Sequence, residues 1–365
     1  MLFVLSGGGT AGHINPAIAL GEELVRRGHE VRFAGTPTGI ESRLTVEAGF
    51  AFEPFEAAGF NRRHPLTLVK ALKLISQSLR RAKKWFAEIK PDAVVGFGGY
   101  VCIPVCRAAQ EMGIPTVLHE QNSVMGVANK ELAKGAAKVA LTYEVAGNAV
   151  ADKSKLVLTG NPVRSSIFDA TRADGREYLG IDDDALLLLV FGGSLGARHL
   201  NTAICALKDR LLLVPDLHIV HITGPKELET VQEALALSEE QAKRWIVKGY
   251  ENQMGKVMAA ADATVARAGA SSLAEISARQ IPALLVPFPY ATADHQTMNA
   301  RSYVQAGAAS MVADADVETD EFADKLFALV GDASLRASMR AAAASFDTAN
   351  AAEKLADIVE STARK

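Results

Sequence analysis

Residues 2–13 read LFVLSGGGTAGH, and residues 186–196 read LLLLVFGGSLG. In each, an apolar run ends in a glycine loop and a helical pattern follows. Continuous apolar strands alternating with helices indicate a parallel sheet covered on both faces. Gly8-Gly9-Thr10-Ala11-Gly12 and Gly192-Gly193-Ser194-Leu195-Gly196 share the pattern GG[ST]xG. The echo predicts two similar nucleotide-type folds facing across a cleft.

Working outward from these loops, a helix is expected from about Pro16 to Arg27, closed by Gly28. Strands are expected at Leu2–Leu5, Val31–Ala34, Ala93–Val95, Thr116–His119 and Val139–Leu141. In the second array they fall at Ala185–Phe191, His218–Ile222, Ala263–Val265 and Ala283–Val286. The stretch TGNPVR at Thr159–Arg164, followed by a polar segment, is the expected join. The Ala-rich tail from Glu321 onward is helical in pattern.

The 365 residues suit two domains. Apolar residues make up 49% and charged residues 22%, a globular balance. The net charge of −3 gives no global field for nucleic acid. Cys102, Cys106 and Cys205 do not form a disulfide framework; Cys102 and Cys106 could share a helix face, but without partner ligands they make a poor metal site and read as buried small residues. No run reaches the ~18 apolar residues of a membrane span, and the start lacks signal-peptide character. A cytoplasmic protein is expected.

Gly7, Gly9 and Gly12 satisfy G-x-G-x-x-G between a strand and a helix, the context that motif requires. Such a helix start offers backbone N–H groups and partial positive charge to phosphate. A dinucleotide would need an acid at the end of the second strand. That strand ends Arg32-Phe33-Ala34-Gly35-Thr36, so a nicotinamide-dependent oxidoreductase is disfavoured. His13 follows the loop at the helix start, where the neutral ring is favoured, and suits a general base. The alternative is a histidine that only packs.

Two further blocks carry chemistry. In RAGASSLAE, Arg267–Glu275, Gly269 permits a turn and Ser271 or Ser272 caps a helix. Glu275 is placed to accept bonds from a ribose diol, or else closes a capping box with Ser272. In VPFPYATADHQTMN, residues 286–299, Gln296 and Asn299 share a helix face and suit sugar hydroxyls. His119 reads as a cleft-wall or orienting residue. His218 and His221 point to opposite faces of a strand. Asp182–Asp184 lies at the wrong end of its strand, and Asp314–Asp316 reads as a cap or turn. No protein-bound metal and no cofactor are expected.

Residues 62–90 hold nine Lys/Arg and one acid, Glu88, interleaved with large apolar residues. This is a membrane-surface signal, directed at anionic phospholipid; the alternative is a surface helix whose apolar stripe is core.

Taken in order, GGGTAGHINPAIA, FGGYV (Phe97–Val101), HEQNSVMGVANK (His119–Lys130), GNPVR (Gly160–Arg164), GGSLGARHLN, RAGASSLAEI and VPFPYATADHQTMNA resemble the MurG family of glycosyltransferase family 28. The likeness runs from Leu2 to Arg301. It implies a GT-B fold, with two facing Rossmann-like domains and the active site in the cleft. The domains would span 1–161, on the acceptor and membrane side, and 162–344, binding UDP-GlcNAc. A C-terminal helix at ~345–365 would return to the first.

The implied reaction moves GlcNAc from UDP-GlcNAc to the MurNAc C4 hydroxyl of undecaprenyl-pyrophosphoryl-MurNAc-pentapeptide (lipid I to lipid II). It proceeds with inversion, in peptidoglycan synthesis and hence cell division and shape. The enzyme would sit peripherally on the cytoplasmic face of the cell membrane, where other cell-wall synthesis proteins are possible partners. By the same resemblance, His13 is the base, and Thr10, Ala11, Gly12, Asn122, Arg164 and Ser194 meet the donor. Glu251 meets uracil through its backbone. Ala270, Ser271, Ser272, Leu273, Ala274 and Glu275 lie by phosphate and ribose, and Gln296 reads GlcNAc. Tyr100, His119 and Glu120 line the acceptor side. Ala11, Met125 and Gln280 depart from the family's usual Gly, Pro and Gly, and none removes a reactive group. The alternatives are another GT-B transferase with a different donor or acceptor, and a non-catalytic nucleotide-sugar-binding protein.

Overall fold

A computed structural model describes residues 1–57, 65–193, 196–346 and 348–364; for 65–71 and 292 only the backbone is described. The chain divides into two compact units, Met1–Arg164 with Thr348–Lys365, and Ser165–Asp347. Each is built on a wholly parallel sheet.

The first unit contains β1 (Leu2–Ser6), β2 (Glu30–Gly35), β3 (Ala51–Pro54), β4 (Ala93–Gly96), β5 (Thr116–Glu120), β6 (Lys138–Leu141) and β7 (Leu156–Leu158), in the order β3-β2-β1-β4-β5-β6-β7. The second contains β8 (Leu186–Phe191), β9 (Leu217–Ile222), β10 (Trp245–Lys248), β11 (Ala263–Ala266), β12 (Ala283–Leu285) and β13 (Ala309–Met311), in the order β10-β9-β8-β11-β12-β13. Leu5 pairs with Phe33 on one side and Val95 on the other; Val190 pairs with His221 and Val265. Strand order therefore reverses between β1 and β4, and again between β8 and β11. Ligands of open α/β sheets bind outside the strands' carboxyl ends at such reversals. Both glycine loops lie there.

The four strands that the sequence pattern does not single out, β3, β7, β10 and β13, are the four sheet edges. They are three or four residues long and half-exposed, whereas β4 and β11 are buried throughout. An edge strand has only one strand neighbour, so its composition carries a weaker burial signal.

The first helix corrects a boundary. It spans Ala11–Arg26, with Thr10 extended at its N-cap, and Pro16 lies inside it rather than at its start. Proline cannot donate to the Gly12 carbonyl, so the helix gives up one bond near its start and continues. At Gln280, where the resemblance leads to an expected glycine, φ is +52°, so the residue adopts a left-handed conformation that costs a non-glycine residue roughly 1–2 kcal/mol.

The helix Ala351–Thr362 belongs to the first unit. Leu355, Ala356 and Val359 are fully buried in the cluster of Phe3, Leu5, Ile14 and Val95. Arg27 pairs with Asp357 (2.6 Å) and Glu360 (2.8 Å), and His29 with Glu360 (2.6 Å).

The basic helix spans Pro65–Ile89. Its Ala82 and Phe86 are buried in the core, with Leu79, Trp85 and Ile89 packed against it, so this part of the apolar stripe is interior. Leu72 is exposed. Some of its charge is paired: Lys83 with Glu111 at 2.6 Å, and Arg81 with Glu53. Arg62 and Arg63 lie outside the described residues.

Candidate active site

In the first unit the glycine loop Gly7–Thr10 leaves β1 and enters the helix bearing His13. Thr10 is exposed; Ala11, Gly12 and His13 are half-buried. The helix start has no side-chain cap bond. Nδ1 of His13 lies 2.8 Å from the Gly8 carbonyl oxygen and 3.3 Å from Thr10 Oγ1. A carbonyl only accepts, so Nδ1 carries the hydrogen, and in the neutral ring Nε2 carries the lone pair.

The β4 loop closes on the β1 loop. Gly98 (φ +99°) lies against the imidazole, where an added Cβ would come 3.2 Å from Nε2. Gly99 (φ +85°) lies against Gly8, whose backbone such a Cβ would strike. Glycine at both positions thus allows the two loops to touch. Tyr100, next in the chain, is 47% exposed.

The β5 end departs from expectation. His119, expected on the acceptor side, is fully buried; its Nε2 donates to the Gly160 carbonyl at 2.9 Å and its Nδ1 accepts from Gln121 at 3.0 Å. Glu120 is also buried, accepting from the Asn122 N–H (3.1 Å), the Gly126 N–H (3.0 Å) and the Asn129 amide (2.9 Å). Both are framework residues whose polar atoms are spent inside the unit. Asn122, half-buried, is held by this network, and half-buried Arg164 ends the unit's first segment.

Burial lowers the pKa of His119 from 6.5 to about 4, against the raising effect of its Gly160 bond, and burial likewise lowers His221 to about 4. Above pH 6.5 both rings are neutral, folded or unfolded. Below it the unfolded chain takes up protons that the folded chain refuses, so stability falls towards pH 4. Each ring contributes about 3 kcal/mol to that fall. Denaturation of His119→Gln should show a shallower decline between pH 6.5 and 4 than the parent; an equal slope removes His119 from the acid response.

In the second unit, Ser194 lies outside the described residues. Arg267 directly follows β11, and the helix Ala270–Ala278 comes next. Its N-cap is Gly269 without a side-chain cap bond, not Ser271 or Ser272, and so the Ser272–Glu275 capping box does not form. Gly269 has φ −65°, so the turn needs no left-handed residue. Ala270 is buried, Ser271 and Ser272 half-buried, and Leu273, Ala274 and Glu275 buried.

Gln296 joins this helix start. Its Nε2 would lie 4.0 Å from a Cβ on Gly269, and its Oε1 accepts from the Phe288 N–H at 3.0 Å. Asn299, expected to face a sugar, is instead fully buried and donates to the Ala268 carbonyl at 3.4 Å. Glu251 is buried too, bonded by Lys248 (2.6 Å), the Gln253 N–H (2.6 Å) and Tyr178. Burial opposes its charge, but these bonds prevail and hold its pKa below the ordinary value.

Two groups escaped the sequence reading. Arg267, only 7% exposed, donates to the Val286 and Pro287 carbonyls at 3.1 Å and pairs with Asp314 at 2.5 Å. Asp314 also meets Nδ1 of His199 at 2.9 Å, so it is an ion-pair partner rather than a simple cap or turn. Burial raises its pKa, yet the His199 and Arg267 bonds prevail and lower it overall. A lone arginine directly after a buried strand was the available signal. The other group is Glu41, fully buried beneath the first glycine loop. Among the described residues, no group of three or more His, Cys, Asp or Glu side chains could hold a metal ion.

The model of the glycosyltransferase family 28 N-terminal domain matches residues 3–141, and that of the family 28 C-terminal domain matches 187–359. The chain belongs to glycosyltransferase family 28. It is 37% identical over 362 residues to the UDP-N-acetylglucosamine–N-acetylmuramyl-(pentapeptide) pyrophosphoryl-undecaprenol N-acetylglucosamine transferase of Bacillus subtilis, covering 99% of each chain. It is 36% identical to the protein of that name from Acetivibrio thermocellus, covering 99% of this chain and 98% of the other. The crystal structure of Acinetobacter baumannii MurG, 30% identical, matches with a TM-score of 0.74 over 99% of both chains. The fold class implied by the motifs, GT-B with parallel α/β sheets, is thus the one found. In this member of family 28, both glycine loops occupy strand-order reversals.

Proposed function

We infer that this family 28 enzyme transfers N-acetylglucosamine from UDP-N-acetylglucosamine to undecaprenyl-pyrophosphoryl-N-acetylmuramyl-pentapeptide. Relatives named for this activity match it end to end. The observation that carries the chemistry is the His13–Gly8 bond, which orients Nε2 of the neutral ring as a proton acceptor.

In this reading Nε2 takes the proton of the MurNAc C4 hydroxyl. The oxygen bonds to the anomeric carbon as the carbon–oxygen bond to UDP breaks, and UDP leaves with that electron pair. Inversion and a β-1,4 linkage follow. The uncapped start of the helix Ala270–Ala278 stabilises the departing diphosphate through its N–H groups and dipole. Glu275 binds the ribose diol and Gln296 the sugar, while the engaged carboxylate of Glu251 leaves uracil to its backbone. Thr10, Ala11, Gly12, Asn122, Arg164 and Ser194 complete donor binding, and Tyr100 faces the acceptor.

The enzyme works peripherally at the cytoplasmic face of the membrane, with the basic helix against anionic lipid. No helix among the described residues is long and apolar enough to cross a membrane. Arg80 and Lys84 are exposed, unlike the partly shielded Lys83 paired with Glu111. Reversing Arg80 and Lys84 to Glu should weaken binding to anionic vesicles at low salt about ten- to a hundredfold. Binding indifferent to both reversal and salt excludes the electrostatic contact.

The deciding experiment is transfer to a lipid I analogue, with EDTA present and UDP-GalNAc and UDP-glucose alongside. UDP release that requires the acceptor and favours UDP-GlcNAc supports the reading; preference for another donor replaces it. Glu275→Ala should raise the KM for UDP-GlcNAc about tenfold or more, the loss of charge-assisted hydrogen bonds, with kcat little changed. An unaltered KM removes the ribose role.

A further inference from the structure

We propose that Glu41 is a positioning residue for this transfer: it braces the glycine loop whose Gly8 carbonyl selects the tautomer of His13. The proposal rests on His13 being the base. Glu41 belongs to the helix Ile40–Glu47 and is fully buried, with no role in the reaction as drawn above. Its Oε2 accepts from the Gly9 N–H at 3.2 Å. Its Oε1 accepts from the Thr36 N–H at 3.0 Å and the Thr36 hydroxyl at 2.5 Å. One carboxylate thus ties the β1 loop to the end of β2.

The packing is as specific as the bonding. A Cβ on Gly8 would strike the Glu41 carboxylate, and one on Gly35 would come 2.6 Å from its Cγ. Gly8 is therefore held between Glu41 and Gly99, and its carbonyl is directed at His13 Nδ1. If that carbonyl turns away, nothing in this contact prefers hydrogen on Nδ1 over Nε2. With hydrogen on Nε2, the ring cannot accept a proton there. The carboxylate is spent on backbone donors and one hydroxyl, which also explains how an acid can sit beside β2 without marking a dinucleotide site.

Glu41→Gln keeps the shape but puts an amide N–H₂ against one of two backbone N–H donors. E41Q should lower kcat about 10- to 100-fold, the cost of a slightly misplaced catalytic group, with the KM for UDP-GlcNAc nearly unchanged. In a His13→Ala background the same change should cost less than about twofold, because the group it positions is gone. Nitrogen NMR of the His13 ring should show hydrogen on Nδ1 in the parent and a tautomer mixture in E41Q.

A parental kcat for E41Q overturns the proposal. So does an undiminished loss in the His13→Ala background, which marks a purely structural role. If His13→Ala itself turns over normally, the base assignment fails and Glu41 falls with it. If His13→Ala is inactive and E41Q is parental, only the role of Glu41 fails. Should E41Q not fold, Glu41→Asp, which keeps the charge and withdraws it by one methylene, is read the same way.

Discussion

Replacing His13 by alanine should lower turnover about 10²–10⁴-fold, the usual contribution of a general base, while UDP-GlcNAc still binds. The size follows from the geometry. Nδ1 donates to the Gly8 carbonyl at 2.8 Å, so the neutral ring presents its lone pair at Nε2. Alanine removes that acceptor and leaves the loop in place, because Gly8 is held independently by Glu41 and Gly99. Donor binding should survive, since Glu251, Glu275 and Gln296, assigned to uracil, ribose and the sugar, lie in the second unit, and the substitution leaves Thr10, Ala11 and Gly12 unchanged. The checks are steady-state transfer to the lipid I analogue and calorimetric titration with UDP-GlcNAc. Turnover within about tenfold of the parent removes His13 as the base, and loss of donor binding assigns it to the donor site.

The second large effect is expected at Arg267. Its side chain is 8% exposed and that of its partner Asp314 12%, so Arg267→Leu strands a buried carboxylate. Breaking a buried pair from one side costs about 3–5 kcal/mol. The variant also frees the Val286 and Pro287 carbonyls, which adjoin Phe288, whose N–H fixes Gln296. The KM for UDP-GlcNAc should therefore rise as well. Replacing both partners, Arg267→Met with Asp314→Leu, should recover most of the stability, because no buried charge is left unmatched. It should not recover donor affinity, because the loop is still unbraced. Chemical denaturation and donor titration of the single and double variants separate the two effects. Recovery of both together means that Arg267 acts on stability alone.

Local pattern carried much of this architecture. The nine predicted strands lie in the interior of the two sheets, where burial on both faces writes itself as an apolar run. The edges β3, β7, β10 and β13 leave weaker runs. The glycine loops were legible because a strand-loop-helix junction is a local event, and so was His13 beside one of them. The residues around them were less so. His119 and Glu120 stand in a conspicuous motif, yet both are interior, because their partners at Gly160 and Asn129 are fixed by the sheet and loop packing.

The order of residues by itself determined the two βα arrays, the strand-end placement of the glycine loops and, through the motifs, membership of family 28. These depend on spacing along the chain. Only the tertiary structure decided which polar side chains are framework and which are presented. It buried Glu41 under Gly9, matched Arg267 to Asp314 and turned Asn299 inward. The cost of a buried charge or amide depends on the partner it meets, and that partner is chosen by packing between segments distant in sequence.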